Sequence, residues 1–215
     1  MNFRISDTFT DSLSRLNSDE QKAVKTSAFD LQMNAAQPGL SFHKLDKAKD
    51  KHFWSVRVNA DIRLIVHKSE HSLLLCYVDH HDKAYRWAEV RKLETHPTTG
   101  AAQLVEIRER VQEVVVRKVV EQVHIASKPL LFAQWDDVAL LRYGVPLEWL
   151  PAIRQANEDT VLDLVAHLPA EAAEALLQLA VGATPVPNPV AAPGVSPFDH
   201  PDAQRRFRVV TNLEE

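Results

Sequence analysis

The sequence predicts an α+β protein in which a helical hairpin and an antiparallel β-sheet precede a long helix, a small all-helical module and a proline-rich linker. Two changes in hydrophobic spacing support this prediction. Between residues 7 and 35, apolar residues recur every three or four positions, as on one face of a helix. From residue 53 to residue 78 they alternate with polar residues or form short apolar runs, as strands do.

The helical hairpin is predicted from its apolar spacing and its start and stop signals. After a short strand candidate, "NFRIS", the segment "DTFTDSLSRL" places Phe9, Leu13 and Leu16 at helical spacing. The sequence "SDEQ" at 18–21 has the spacing of a capping box, in which Ser18 and Gln21 satisfy free backbone amides at a helix start. The "QPG" at 37–39 is a helix stop, so the second helix should end there.

Three strands follow, in "FWSVRV", "IRLIV" and "SLLLCYV". Their connections, "NAD" at 59–61 and "SEH" at 69–71, are short, and short connections join antiparallel neighbours. The third strand is apolar on both faces, which predicts a central position in the sheet. Cys76 lies within it and should be a buried thiol.

The rest of the chain divides by composition. In residues 101–126 Leu104, Ile107 and Val111 begin a periodic apolar stripe that predicts one long amphipathic helix. Residues 129–182 read as short helices of a small helical domain, and the prolines of 183–201 indicate an extended linker. In 202–215, a strand candidate and a capping pair at its end predict the start of a further, truncated domain. We therefore expect the chain to be a fragment of a larger protein.

Composition excludes several classes of protein. Cys76 is the only cysteine, so an intramolecular disulfide is impossible and a reducing, cytoplasmic compartment is expected. No apolar window has the length of a signal peptide core or a membrane span, so we expect no membrane partner. With five glycines and no G-x-x-x-x-G-K-[ST] sequence, the chain lacks a phosphate-cradling loop, which excludes ATP hydrolysis. We expect no cofactor.

Four features in order carry a family resemblance. They are "HKLD" at 43–46, Arg57 on the first sheet strand, Arg63 in "DIRLIV", and a polar strand end, "DHHD", followed by Ala84 and Tyr85. Together they resemble the RelE/ParE toxin superfamily of toxin-antitoxin systems, over residues 1–95. The remainder resembles the region between such an N-terminal domain and the motor of bacterial UvrD/Rep-type DNA helicases, which act in DNA repair.

The first resemblance implies a metal-independent endoribonuclease that drives the ribose 2'-hydroxyl onto the adjacent phosphate, on ribosome-bound mRNA. Arg57 and Arg63 would bind the phosphate, because guanidinium groups match its fork geometry. His80 or His81 would act as base or acid, since imidazole titrates near neutral pH. Tyr85 would stack on a base or assist proton transfer. A phosphate-tracking rim would consist of Lys44, Lys47, Lys49 and Lys51.

The residues also allow alternatives to a nuclease. ParE-type members act on DNA gyrase rather than on RNA, so a noncatalytic adaptor that localises a UvrD-like helicase is the second hypothesis. The histidine pair would then be a solvated turn, and Arg57 and Arg63 would pair with Asp61, Glu70 or Asp79 across the sheet. For His67 and His71 we predict no metal site, because no third ligand follows at the usual spacing. The expected partners are RNA or the ribosome, DNA through the parent helicase, and an antitoxin-like protein.

Overall fold

The computed structural model describes residues 2–33, 42–108 and 128–210. Its contacts divide the chain into two compact units, one formed by residues 1–91 with 204–215 and the other by residues 92–203. The first unit contains a six-stranded mixed sheet with helices, so the predicted α+β class is confirmed.

The elements of the described residues are numbered in chain order. The strands are β1 (Asn2–Ser6), β2 (Phe42–Lys44), β3 (Phe53–Arg57), β4 (Ile62–Lys68), β5 (Ser72–His80), β6 (Arg91–Thr95), β7 (Ala102–Glu106) and β8 (Phe207–Val209). The α-helices are α1 (Asp7–Ser14), α2 (Ser18–Met33), α3 (His81–Glu89), α4 (Asp137–Arg142), α5 (Leu150–Arg154), α6 (Val161–Val165), α7 (Ala170–Ala180) and α8 (Pro201–Arg206). Two 3₁₀ turns cover Leu147–Trp149 and Pro197–Asp199.

The sheet of the first unit has the strand order β2-β3-β4-β5-β1-β8. Strands β3 to β5 pair antiparallel and β5 is an inner strand, as predicted, and the unpredicted strand β2 pairs antiparallel with β3. The prediction of a wholly antiparallel sheet is wrong, because β1 runs parallel to β5, with Phe3 opposite Leu73 and Ile5 opposite Leu75. Parallel neighbours require a long connection, and here the helical hairpin and three strands separate β1 from β5 in sequence.

The end of the described chain belongs to this sheet. Strand β8 pairs antiparallel with β1, with Phe207 opposite Ser6 and Val209 opposite Arg4. The described part of 202–215 is therefore not the start of a further domain; residues 204–210 complete the first unit. Strand β8 pairs here because the backbone N–H and C=O groups on the outer edge of β1 would otherwise lack strand partners.

The two faces of the sheet have different coverings. One face buries Val56, Leu64 and Val78 against Val24 and Leu31 of the helical hairpin. This hairpin is confirmed, with one correction at its second start: the capping box is formed by Asn17 and Glu20, one residue before the predicted pair. The predicted stop at 37–39 lies outside the described residues.

Helix α3 covers the opposite face. The Trp87 ring stacks on Tyr77 of β5, with ring centroids 4.8 Å apart and planes at 6°, and its edge meets Phe53 of β3. Cys76 is fully buried as predicted, and burial raises the pKa of its thiol, because the thiolate would lose its hydration. The sheet of the first unit is thus covered by the helical hairpin on one face and by α3 on the other. Polar side chains lie where α3 begins, beside the turn between β3 and β4.

The second unit corrects the prediction of one long helix over 101–126. Residues 102–106 form β7, which pairs with β6. The helix prediction is wrong for these residues because the spacing of Leu104, Val105 and Ile107 also fits a short buried strand. Periodicity cannot distinguish a helix from a strand over so few residues. Residues 109–127 lie outside the described residues.

The short helices predicted for 129–182 are present as α4 to α7. Asp136 caps α4 by accepting a hydrogen bond from the Ala139 amide at 2.7 Å, and Gly182 follows α7 with a φ of 78°. Their apolar side chains surround Phe132, Leu140 and Leu176. None of the described helices is long and apolar enough to cross a membrane.

The proline-rich segment 183–201 is extended, but it does not run free as a linker. Its Asn188 amide donates to the Arg142 carbonyl at 2.9 Å, and its Ala191 amide donates to the Thr99 carbonyl at 2.8 Å. The His200 side chain is buried, with its Nε2 2.9 Å from the carbonyl oxygen of Pro189. The segment is therefore part of the second unit.

Candidate nucleic-acid site

The turn between β3 and β4 is the frame of the candidate site. The Asn59 side-chain oxygen accepts hydrogen bonds from the backbone amides of Asp61, at 2.9 Å, and Ile62, at 2.8 Å. This is the local bonding that makes asparagine frequent in turns. The turn is thereby held in one conformation, and it points its Asn59 and Ala60 carbonyl groups toward neighbouring side chains.

Arg57 and Arg63 flank this turn as direct cross-strand neighbours. The Arg57 Nε donates to the Asn59 carbonyl at 3.1 Å, and the Arg63 Nη1 donates to the same carbonyl at 3.0 Å. Within the described residues neither guanidinium pairs with a carboxylate, so the alternative in which Asp61, Glu70 or Asp79 neutralises them is wrong. Arg63 also donates from Nη1 to the Ile62 carbonyl at 3.0 Å and from Nη1 and Nη2 to the Ala60 carbonyl at 3.4 Å. The terminal nitrogens of Arg57 and the Nε of Arg63 remain for an anion.

His81 is the first residue of α3, and its backbone amide donates to the Asp61 carbonyl of the same turn at 2.9 Å. Its Nδ1 lies 2.9 Å from Asp82 Oδ1, and this hydrogen bond lowers the pKa of Asp82. Its ring lies against Tyr85, with centroids 4.2 Å apart. The half-exposed imidazole is therefore oriented by a carboxylate on one side and an aromatic ring on the other.

The side chain of Tyr85 is held by a hydrogen bond to the sheet. Its hydroxyl shares a hydrogen bond with the hydroxyl of Ser55, at 3.0 Å, and Ser55 is fully buried on β3. Ser55 lies two residues before Arg57, on the same face of the strand. The buried serine thus connects the aromatic residue of α3 to the strand that carries the arginine.

His80 does not join this group. It ends β5 opposite Ile62, and its Nε2 is 3.4 Å from Asp61 Oδ2 and 3.5 Å from Glu20 Oε1 of α2, on the hairpin side of the sheet. Its Nδ1 is 3.1 Å from Asp79 Oδ1, and this hydrogen bond, assisted by the nearby carboxylates, raises the pKa of His80. His80 pairs with Ile62, whose side chain packs on the hairpin side of the sheet, whereas His81 begins α3, which packs on the other side.

The four lysines of the predicted rim are exposed: Lys44 ends β2, and Lys47, Lys49 and Lys51 lie on the loop that joins β2 to β3. Lys44 and Lys47 line a cavity of about 300 Å³ together with Tyr85, Asp46 and Glu89. The Lys51 ammonium donates to the Asp46 and Ala48 carbonyls, each at 2.9 Å, and so holds this loop rather than lining that cavity. Lys49 lies on the same loop. Only Lys44 and Lys47 adjoin Tyr85.

Ser55 and Asp82 were missing from the sequence prediction. Each has a feature in the sequence that could have drawn attention to it: Ser55 is a polar residue within the alternating strand pattern, and Asp82 directly follows the histidine pair. Neither signal identifies a partner, because the Ser55–Tyr85 contact spans 30 residues. Of the predicted catalytic set, Arg57 lies opposite Arg63, His81 lies against Tyr85, and Tyr85 is bonded to the strand that carries Arg57, whereas the His80 side chain faces Glu20 and Asp61.

No known family model matches the chain, and no curated protein matches it.

Proposed function

We propose that the first unit binds RNA at the β3–β4 turn and cleaves it without a metal ion, as an endoribonuclease similar to the RelE branch of the RelE/ParE superfamily. The observation that carries this proposal is the pair of guanidinium groups, Arg57 and Arg63, without carboxylate partners among the described residues. The half-exposed His81 begins its helix at the same turn. Such a cationic pair suits a phosphate.

The proposed reaction follows from these groups. His81 accepts the proton of the ribose 2'-hydroxyl while that oxygen attacks the adjacent phosphorus. Arg57 and Arg63 stabilise the charge that develops on the phosphate oxygens. The bond to the 5'-oxygen breaks, this oxygen takes a proton from water, and a 2',3'-cyclic phosphate remains. Asp82 positions the His81 ring, and Tyr85 stacks on a neighbouring base.

A second function is favoured by the orientation of His80. With His80 on the hairpin side of the sheet, only one histidine stands beside the arginines, although cleavage requires one proton to be removed and another to be supplied. We therefore retain a noncatalytic adaptor as the alternative, in which the same surface binds nucleic acid and localises a UvrD-like helicase.

The test is cleavage of messenger RNA by the whole chain, in a translating extract without chelator and, separately, on free RNA with EDTA present. His81→Ala should abolish cleavage and leave RNA binding intact, whereas His80→Gln, the matched control, should retain cleavage. The double variant Arg57→Gln/Arg63→Gln should lose both. Binding without cleavage by the unaltered chain would reject the nuclease and favour the adaptor; neither binding nor cleavage would reject both.

A further inference from the structure

A second cluster of polar side chains lies at the other end of the β3–β4 ladder. Asp50 and His52 belong to the turn that leads into β3, and His67 lies on β4 opposite Phe53. Arg57 and Arg63 pair four positions further along, about 13 Å away at the usual rise per residue. This cluster is therefore separate from the candidate nucleic-acid site.

The spacing of its ligand atoms fits a metal ion. His52 Nδ1 is 3.3 Å from Asp50 Oδ1, and His67 Nε2 is 3.5 Å from Asp50 Oδ2. One donor atom from each of the three residues lies within 4.8 Å of the others. A tetrahedral Zn²⁺ ion with ligands at 2.0–2.1 Å holds neighbouring ligand atoms about 3.3 Å apart. Charge-assisted hydrogen bonds are shorter, about 2.7–2.9 Å.

The surroundings hold two of the three side chains in place. The side chains of Asp50 and His67 are only 8% and 13% exposed, and the His67 ring meets the edge of Phe53 at 5.7 Å. Asp50 Oδ1 also accepts the His52 backbone amide at 3.0 Å, and the His52 carbonyl accepts the Lys68 amide at 2.9 Å. Ligands held by a strand ladder and a bonded turn lose little conformational freedom on binding.

His52 closes the cluster from the solvent side, where its side chain is 64% exposed. It lines an open cleft of about 770 Å³, whose other charged or titratable lining residues are Lys44, Lys51, Lys68, Glu70 and His71. A bound ion would therefore have two sheltered ligands, one exposed ligand and one coordination position toward solvent. The three ammonium groups of this cleft repel a cation, and the carboxylates of Asp50 and Glu70 offset part of that repulsion, so a modest affinity is expected.

We propose that Asp50, His52 and His67 form a binding site for a Zn²⁺-class transition metal ion, with three protein ligands and a fourth position open to water or another ligand. Two imidazoles and one carboxylate suit Zn²⁺ and its neighbours, whereas Mg²⁺ and Ca²⁺ prefer sets made only of oxygen atoms. The ion would join the turn before β3 to β4. This proposal does not depend on the nuclease, whose proposed residues lie elsewhere.

The test is calorimetric titration of the metal-free whole chain with ZnCl₂ and, separately, with MgCl₂. One Zn²⁺ per chain should bind, and Mg²⁺ should not. Asp50→Asn and His52→Ala should each weaken Zn²⁺ binding at least tenfold, and the exposed His52 makes the second variant tolerable to the fold. His43→Ala is the matched control, since His43 is exposed on β2 and lies outside both the cluster and the lining of this cleft, and it should bind like the unaltered chain.

A spectroscopic readout identifies the ligands directly. In ¹⁵N-detected histidine spectra, Zn²⁺ should shift His52 Nδ1 and His67 Nε2, the atoms that face Asp50, and leave His43 unchanged. Equal Zn²⁺ affinity in the His52→Ala variant and the unaltered chain would overturn the proposal, as would an absence of saturable binding. RNA cleavage in EDTA is read separately, so a failure of this site is distinguishable from a failure of the nuclease.

Discussion

Arg57 and Arg63 donate hydrogen bonds to the same acceptor, the carbonyl oxygen of Asn59, at 3.1 Å and 3.0 Å. Like charges directly opposite each other on a sheet are ordinarily destabilising. Here the carboxylates of Asp79, which is the cross-strand partner of Arg63 on β5, and of Asp61, in the turn, are directed at His80 instead. The two guanidinium groups therefore lie side by side at an exposed turn. Their repulsion reduces the stability of the sheet when no ligand is bound, and it favours the binding of an anion.

The first prediction concerns the salt dependence of RNA binding. Removal of one phosphate contact from a single-stranded ligand reduces the slope of log K against log salt by about 0.7. The variants Arg57→Gln and Arg63→Gln should each bind RNA more weakly with a slope smaller by that amount, while their thermal stability is unchanged or higher. Fluorescence titrations at several salt concentrations measure both affinity and slope. Lys25→Gln, on the exposed side of α2, removes the same charge and should leave the slope unchanged.

The second prediction concerns the hydrogen bond between Tyr85 and Ser55. Tyr85→Phe leaves the buried Ser55 hydroxyl without this partner, so the free energy of unfolding should fall by about 1 kcal/mol. Urea denaturation measures the loss. The double variant Tyr85→Phe/Ser55→Ala should recover part of it, because both polar groups are then absent. If the double variant were less stable by the full sum of the two single changes, the pair would not be coupled.

The third prediction concerns acid sensitivity of the second unit. The buried His96 Nδ1 faces the Thr98 and Thr99 amides, at 3.3 Å and 3.1 Å, and its Nε2 lies 3.0 Å from the Val145 carbonyl, a set that only the neutral imidazole satisfies. Burial lowers the pKa of His96 below its ordinary value of 6.5. The unfolded state therefore binds a proton first, and stability is lost as the pH falls from about 6.5 toward the lowered pKa.

Hydrogen exchange followed by mass spectrometry over residues 92–108 measures this effect in the second unit alone. Protection should be constant from pH 8 to pH 7, after correction for the intrinsic exchange rate, and should fall below pH 6.5. His96→Gln should be less stable at pH 8 and should lose this dependence, whereas His71→Gln should keep it. An unchanged pH dependence in His96→Gln would assign the sensitivity to another group.

The fourth prediction concerns strand β8. Phe207 is buried in the first unit, whereas Val209 on the same strand is largely exposed. Phe207→Ala should lower the free energy of unfolding by about 3–5 kcal/mol, as large-to-small changes in a core do. Val209→Ala, the matched control, should change it by less than about 0.5 kcal/mol. Equal effects in urea denaturation would indicate that β8 does not pack on this sheet in solution.

Much of the first unit was predictable from local signals. The strands β3, β4 and β5 follow from alternating residues and short turns, and the pairing of Arg57 with Arg63 follows from the length of the turn between them. The buried position of Cys76 and the Asp136 and Gly182 ends of helices depend on a few neighbouring residues, so sequence reasoning could reach them.

Contacts between residues far apart in sequence could not be predicted from such local signals. The parallel pairing of β1 with β5, the addition of β8, and the bond between Ser55 and Tyr85 join residues far apart in sequence, where no local pattern selects the partner. The same reason explains why the sequence does not reveal Asp50, His52 and His67 as one cluster: it predicts no metal site for His67 and His71, and it gives no sign that Asp50 and His52 approach His67. Periodicity also could not distinguish the short strand β7 from a helix start.

The sequence by itself determined the α+β class, the helical hairpin, the order of the antiparallel strands and the arginines at their turn, because these depend on spacing within a few residues. Only the tertiary structure decided which face each histidine takes and which carboxylates surround it. His80 ends a strand and turns toward Glu20, while His81 starts a helix beside Asp82 and Tyr85. The peptide bond between them is the boundary of two elements, and the packing of those elements sends the adjacent side chains to opposite sides of the sheet.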